Sequence, residues 1–259
     1  MRSPARCSRS DRRSRPALCA LIALAALAGC GRAQEARQPV TRPIGLYTSL
    51  PIAWHESARL SDLLDRAGEP HWALATIGRH GALRPLDTLD GPDGKLPLPP
   101  HALLILAQPR PLSPRENVAL DDWVRAGGRV LLFADPMLTA PSIHPLGDPR
   151  RPQDVALLSP ILARWGLELQ FDETQAAGER TVPLARGALP VNLPGRFRAG
   201  SPDCVPEAGG LLAICRIGAG RVIAVADAAL FESGDSPNLA ARRAALDTLL
   251  ARLAEPRAH

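Results

Sequence analysis

The sequence predicts an α/β fold, a three-layer sandwich on a mostly parallel central sheet with an antiparallel hairpin near the C-terminus. Three observations carry that expectation. Residues 102–107 (Ala-Leu-Leu-Ile-Leu-Ala) and 129–134 (Arg-Val-Leu-Leu-Phe-Ala) are runs of strand length with little polar alternation, as expected of strands covered on both faces. Between them lies an amphipathic segment that opens on a helix cap, and a strand, helix and strand in succession close right-handed into a parallel pair. Further on, residues 211–217 and 221–226 flank Gly218-Ala219-Gly220, the pattern of a hairpin.

Taken in order, the chain opens with residues that do not belong to this domain. Arg2, Arg6, Arg9, Arg12, Arg13 and Arg15 stand against one acid, Asp11, and an uncharged apolar run over residues 17–29 follows. That is the layout of an export signal. Thirteen helical residues reach only about 20 Å, short of the ~30 Å hydrocarbon core that a permanent span must cross. The run ends Leu27-Ala28-Gly29-Cys30, which resembles the bacterial lipobox. Residues 1–29 are therefore expected to be a lipoprotein signal peptide, and Cys30 the lipidated residue that tethers the protein to a membrane. Several acyl chains on one residue would anchor it firmly. Gly31 stands where lipoproteins retained at the inner membrane usually carry aspartate, so the periplasmic side of the outer membrane is the favoured address.

Residues 30–43 are polar, contain prolines and show no apolar period, which suits a flexible tether. A single α/β domain is expected over residues 44–255. Within it, residues 44–50 read as a strand, 56–67 as a helix stopped by Gly68, 72–77 as a second strand and 81–100 as loop. After the strand at 102–107, Ser113-Pro114-Arg115-Glu116 forms a capping box with proline in the first turn. Its helix ends at Gly127-Gly128, and the strand at 129–134 runs into Asp135-Pro136. Residues 154–165 are expected to be helical and 167–171 extended. Residues 178–202, rich in Pro and Gly, read as edge strands and loops. Ser236-Pro237 is expected to cap a last helix whose apolar side holds Leu239, Leu246, Leu249, Leu250 and Leu253.

The net charge of +5 argues weakly for an anionic partner. It resides in the signal: removing residues 1–29 leaves 25 Lys and Arg against 25 Asp and Glu. No nucleic-acid partner is implied. Cysteine usage points the same way as the signal. Cys7 and Cys19 leave with it, and beyond Cys30 the chain holds Cys204 and Cys215, in what would be an oxidising compartment. A tight turn at Gly209-Gly210 sets Cys204 opposite Cys215, within disulfide range. Free redox thiols would favour closer Cys-x-x-Cys spacing.

Three stretches together resemble a known family: residues 112–136, residues 158–167 (Leu-Ser-Pro-Ile-Leu-Ala-Arg-Trp-Gly-Leu), and residues 218–231 (Gly-Ala-Gly-Arg-Val-Ile-Ala-Val-Ala-Asp-Ala-Ala-Leu-Phe) with Asn238 opening a helix. They are similar to the auxiliary component of the ABC transport systems first associated with gliding motility, whose soluble domain resembles the class I glutamine amidotransferase fold. The resemblance implies an amidotransferase- or flavodoxin-like sheet and permease and ATPase subunits as partners. Long members of that family are anchored by transmembrane helices, a role the lipid on Cys30 would take here.

An amidotransferase-like sheet invites a search for a nucleophile at a strand-to-helix elbow. The strand ending at Ala107 runs into Gln108-Pro109-Arg110, which offers none. His55, His71, His80, His101, His144 and His259 are scattered without metal-ligand spacing, and Gly218-Ala219-Gly220 lies between strands and opens no helix. No cofactor, metal or catalytic residue is expected. What remains is a candidate ligand site at the carboxyl ends of the strands, formed by Asp135, Asp227, Ser233 and Asn238 with Gln108 and Ser49. Asp135 and Asp227 could equally cap the turns that follow their strands. The leading reading is a non-enzymatic, lipid-anchored recognition component of an ABC-type transport system. Its rivals are a lipid-anchored hydrolase or carbohydrate-acting enzyme using Asp135 and Asp227 as paired carboxylates, and a structural envelope protein lacking a pocket at that edge.

Overall fold

A computed structural model describes residues 42–54, 56, 70–232 and 238–256. The signal, Cys30, most of the tether, nearly all of the helix expected over 56–67, Ser233 and the Ser236-Pro237 cap lie outside the described residues.

The chain forms β1 (Pro43–Thr48), α1 (Trp72–Gly78), β2 (Ala82–Pro85), β3 (Leu103–Ala107), α2 (Pro114–Arg125), β4 (Arg129–Phe133) and α3 (Ser159–Arg164). Short strands follow, β5 (Leu167–Gln170), β6 (Arg180–Pro183), β7 (Ala188–Val191), β8 (Arg196–Ala199) and β9 (Cys204–Glu207). The hairpin β10 (Leu212–Ile217) and β11 (Gly220–Val225) precedes the last helix, α4 (Leu239–Ala254). Seven strands make the central sheet in the order β2-β1-β3-β4-β11-β10-β9. The first five run parallel and β10 is antiparallel to both its neighbours. Two satellite pairs, β5–β8 and β6–β7, are antiparallel. The molecule is thus a mixed α/β protein with a mostly parallel central sheet and antiparallel hairpins.

The β3-α2-β4 unit shows why. All five residues of β3 are buried, and fully burying each large side chain contributes roughly 1.5–3 kcal/mol. Successive side chains point to opposite faces. Leu103, Ile105 and Ala107 join Leu131, Phe133, Ile223 and the buried side of α4 in one apolar cluster. Leu104 and Leu106 join Val130, Leu132, Val222 and the buried sides of α2 and α3 in the other. Helices therefore cover both faces. Ser113 Oγ accepts from Glu116 N–H at 3.2 Å and Glu116 Oε2 from Ser113 N–H at 2.9 Å, the complete reciprocal cap. Close packing where α2 meets the sheet requires small residues: a Cβ on Gly220 would fall 2.0 Å from the Val124 carbonyl oxygen. Asp121, fully buried on α2, binds Arg125 at 2.8 Å, Trp165 Nε1 at 3.1 Å and Arg164, tying α2 to α3.

Three expectations need correction. Residues 72–77 form a helix, not a strand. His71 caps it by accepting from Ala73 N–H at 3.2 Å, and Ala73, Thr76 and Ile77 are buried at helical spacing. A short apolar run carries both periods, and packing decides. Residues 81–100 are not all loop, because β2 pairs in parallel with β1. Its side chains are largely exposed, so no apolar run marked it. The helix expected over 154–165 spans only Ser159–Arg164, because the main chain of 153–156 is committed to the strand ends. Gln153 N–H donates to Ser49 Oγ at 2.9 Å, Leu138 N–H donates to Asp154 O at 2.9 Å, and Ala156 N–H donates to Asp135 O at 2.8 Å.

Cys204 and Cys215 are directly opposed in β9 and β10 and joined by a disulfide, with Cα atoms 4.1 Å apart.

Candidate functional site

The parallel strands end in a layer of buried polar groups: Ser49 after β1, Gln108 after β3, Asp135 after β4 and Asp227 after β11, each at most 1 % exposed. β1 and β3 leave the sheet at the point where strand order reverses, the usual place for a ligand crevice in open α/β sheets. Here that place is filled. Gln108 has φ +42°, and its side chain bridges neighbouring strands. Its Nε2 donates to Asp135 O at 3.0 Å and Gln153 O at 2.8 Å, and its Oε1 accepts from Asp135 N–H at 2.8 Å. Ser49 Oγ donates to the Gln108 carbonyl. The crossing segment at 153–156 is thereby sealed onto the edge.

The two aspartates are engaged in the same way. Asp135 Oδ1 accepts from Met137 N–H at 2.8 Å, and Oδ2 accepts from Ala228 N–H at 3.0 Å. Asp227 Oδ1 accepts from Ala229 N–H at 2.7 Å, and Oδ2 accepts from Asn192 N–H at 2.9 Å. Each therefore caps the turn after its own strand and reaches a second segment as well. Burial pushes the Asp135 carboxyl up to about 6, against the pull of its two backbone donors and with some help from the charge of Glu232. Asp227 is raised well above its ordinary value, first by burial and then by the charge of Asp135. The two groups are close enough to repel, yet every carboxylate oxygen already holds a backbone N–H, and both side chains are shut off from solvent. A substrate could reach neither without rearrangement of the main chain.

Asn238 stands apart from this layer. It precedes α4 without a side-chain cap bond, and its Nδ2 donates to Glu179 Oε1 at 2.7 Å. Glu179 also pairs with Arg242, which is 2 % exposed and donates to the Ala229 carbonyl. The connection from Asn238 to Asp227 therefore runs through Glu179, Arg242 and the turn at Ala229. Sequence reasoning did not single out this buried arginine. The signal was present: Arg242 falls four residues before Leu246, on the stripe that also holds Leu249, Leu250 and Leu253. Ser233, the remaining candidate, lies outside the described residues. Among the described residues no group of three or more His, Cys, Asp or Glu is placed to hold a metal ion. No described helix is long and apolar enough to cross a membrane.

The fold and its edge define an α/β domain whose strand-end acids serve the main chain. A family model described as a domain of unknown function, DUF4350, matches residues 65–236. This is more than half of the chain, and the chain belongs to that family. No curated protein matches it in sequence. Among solved structures, it is similar to the exo-β-1,4-mannosidase Op5Man5 from Opitutaceae bacterium strain TAV5, at 17 % identity and a TM-score of 0.50, over 83 % of this chain and 36 % of that one. It is also similar to the mmIFT52 N-terminal domain, at 13 % identity and a TM-score of 0.52, over 85 % of this chain and all of that one. The chain thus spans about a third of the mannosidase it resembles, and at these identities the likeness concerns the fold.

Proposed function

We propose that this protein is a non-enzymatic, lipid-anchored periplasmic protein that serves as an auxiliary or recognition component of an ABC-type transport system. The observation that carries the non-enzymatic part is the engagement of Asp135 and Asp227, whose four oxygens accept four backbone N–H groups. The lipobox ending at Cys30 supports the anchor. The three ordered stretches at 112–136, 158–167 and 218–231 support the transport role. The five parallel strands run in the 2-1-3-4-5 order of flavodoxin-like sheets, which supports an amidotransferase- or flavodoxin-like domain.

The test is affinity purification of the full chain from detergent-solubilised membranes, alongside Cys30→Ser. The expected result is co-purification of a permease and an ATPase with the wild type, and loss of lipid mass and of membrane association in the variant. Repeated recovery of envelope enzymes without a transporter subunit would count against the transport role. A Cys30→Ser protein still firmly in the membrane would count against the anchor.

A further inference from the structure

A second polar region lies beyond the sealed edge and is open. The satellite pairs β5–β8 and β6–β7 meet the β9–β10 turn around a cleft of about 210 Å³. Its rim is fixed to the carboxyl end of β11 by Gly195 N–H, which donates to Ala226 O at 2.7 Å. This is the side of an open α/β sheet on which ligands collect. The position next to Gly195 is tightly built, since a Cβ there would lie 2.9 Å from Gln170 O, Leu169 Cδ1 and Pro136 Cγ.

The charges in the cleft are Arg180 on β6, Arg196 opening β8, and Asp172. Asp172 is turned back into its own loop, where Oδ1 accepts from Thr174 N–H at 2.9 Å and Thr174 Oγ1 at 2.7 Å. Those bonds hold its pKa below the ordinary carboxylate value, and the charge of Arg196 adds to the effect. Gln175 is fixed as well, donating to Asp172 O at 3.1 Å and Pro194 O at 2.9 Å. The guanidiniums are much less engaged. Arg180 makes one long contact, 3.3 Å to Gln175 Oε1, and the Arg196 guanidinium makes no hydrogen bond or ion pair to another described residue. Two guanidiniums with open donors against one occupied carboxylate leave the cleft one positive charge in excess. Val182, Pro194 and Leu211 add apolar surface beside them.

We infer that this cleft binds a small organic acid, its carboxylate held by Arg180 and Arg196 and its compact apolar body resting on Val182, Pro194 and Leu211. A planar carboxylate fits the guanidinium fork, and such charge-assisted pairs are the strong ones. A monoanion also neutralises the excess charge. The inference concerns what the domain holds and is independent of the complex it joins.

The test is calorimetric titration of the full chain in detergent micelles with three probes, cyclohexanecarboxylate, cyclohexylmethanol and inorganic phosphate, with micelles alone as blank. The acid is expected to bind at least about tenfold more tightly than the neutral alcohol, the difference of one charge-assisted hydrogen bond, and more tightly than phosphate. Arg180→Gln and Arg196→Gln should each weaken the acid about tenfold or more, with Arg196→Lys intermediate because it keeps the charge and loses the fork. Both arginines are exposed, so unchanged melting temperatures are expected alongside these losses. Equal binding of acid and alcohol would overturn the inference. So would phosphate as tight as the acid, Gln variants that bind the acid like the wild type, or no binding by any probe above about 10 mM.

Discussion

At the carboxyl edge of the sheet Asp135 and Asp227 receive four backbone N–H groups, whereas at the amino edge Arg129 and Arg221 donate to the last carbonyls of α4. Arg129 Nη1 reaches Leu253 O, Ala254 O and Glu255 O at 3.2, 2.6 and 3.2 Å, and Arg221 Nη1 reaches Arg252 O at 3.0 Å. Both edges use charge to satisfy orphan main-chain groups, one with acceptors and the other with donors. The physical difference is in titration. Burial and the neighbouring Arg252 lower the Arg221 pKa, but a guanidinium remains charged throughout the range in which proteins fold. The aspartates are raised toward neutrality by burial. The amino edge should therefore be indifferent to pH, and the carboxyl edge should not.

The largest effect is expected where a carboxylate is removed outright. Asp135→Ala or Asp227→Ala leaves one buried N–H, of Ala228 or Ala229, and one part-buried N–H, of Met137 or Asn192, without acceptors, the buried one worth about 1–3 kcal/mol and the other less. A loss of about 2–4 kcal/mol in urea unfolding is expected, with relief of the repulsion between the two acids keeping it from the upper limit. Next comes the disulfide between Cys204 and Cys215. Reduction, or the double Cys→Ala variant, should lower stability by about 2–3 kcal/mol, because the bridge closes a loop of about a dozen residues.

The pH comparison follows in size. A carboxyl group whose folded pKa is raised favours folding while it is protonated. For Asp135 that contribution is fully present below its unfolded value near 3.8 and is lost as pH rises through about 6. Between pH 4.5 and 7 the wild type should lose about 2 kcal/mol from this group. Asp135→Asn should flatten that slope in melting curves, although it also loses an acceptor. Glu116 and Glu207 act in the opposite sense and at lower pH. Burial is the largest single influence on Glu116 and opposes its ionisation, but the hydrogen bonds from Ser113, Leu89 and Thr88 together hold its pKa below the ordinary value, and Arg252 holds Glu207 down. Their contributions should be lost only as pH falls through their lowered values. The smallest effect is at the amino edge. Arg129→Ala or Arg221→Ala should cost about 0.5–2 kcal/mol, constant from pH 5 to 8, with faster amide exchange confined to the last turn of α4.

The two edges also differ in how far their chemistry could be read from the sequence. The β3-α2-β4 unit was legible because its signals are local: two strands of continuous apolar residues and the Ser113–Glu116 cap. Asp135 and Asp227 were legible as strand-end acids for the same reason. Their partners were not. Ala228 lies 93 residues from Asp135 and Asn192 lies 35 from Asp227, and nothing in the local pattern announces such a bond. Residues 72–77 read as a strand because six residues cannot separate a strand period from a helix period without knowing what they pack on. The helix expected from Asp154 starts only at Ser159 because the main chain of Gln153, Asp154 and Ala156 bonds to the segments that follow β1 and β4 instead of to its own next turn. Arg180 and Arg196, sixteen residues apart on different strand pairs, come together only once the satellite sheets form.

Amide hydrogen exchange at Met137, Asn192, Ala228 and Ala229 tests the account of the carboxyl edge most directly. In the wild type all four amides should be protected. Asp135→Ala should release Met137 and Ala228, and Asp227→Ala should release Asn192 and Ala229. Rapid exchange of these amides in the wild type would mean that the carboxylates are not held by the main chain and stand open to a substrate, contradicting the structural role assigned to them.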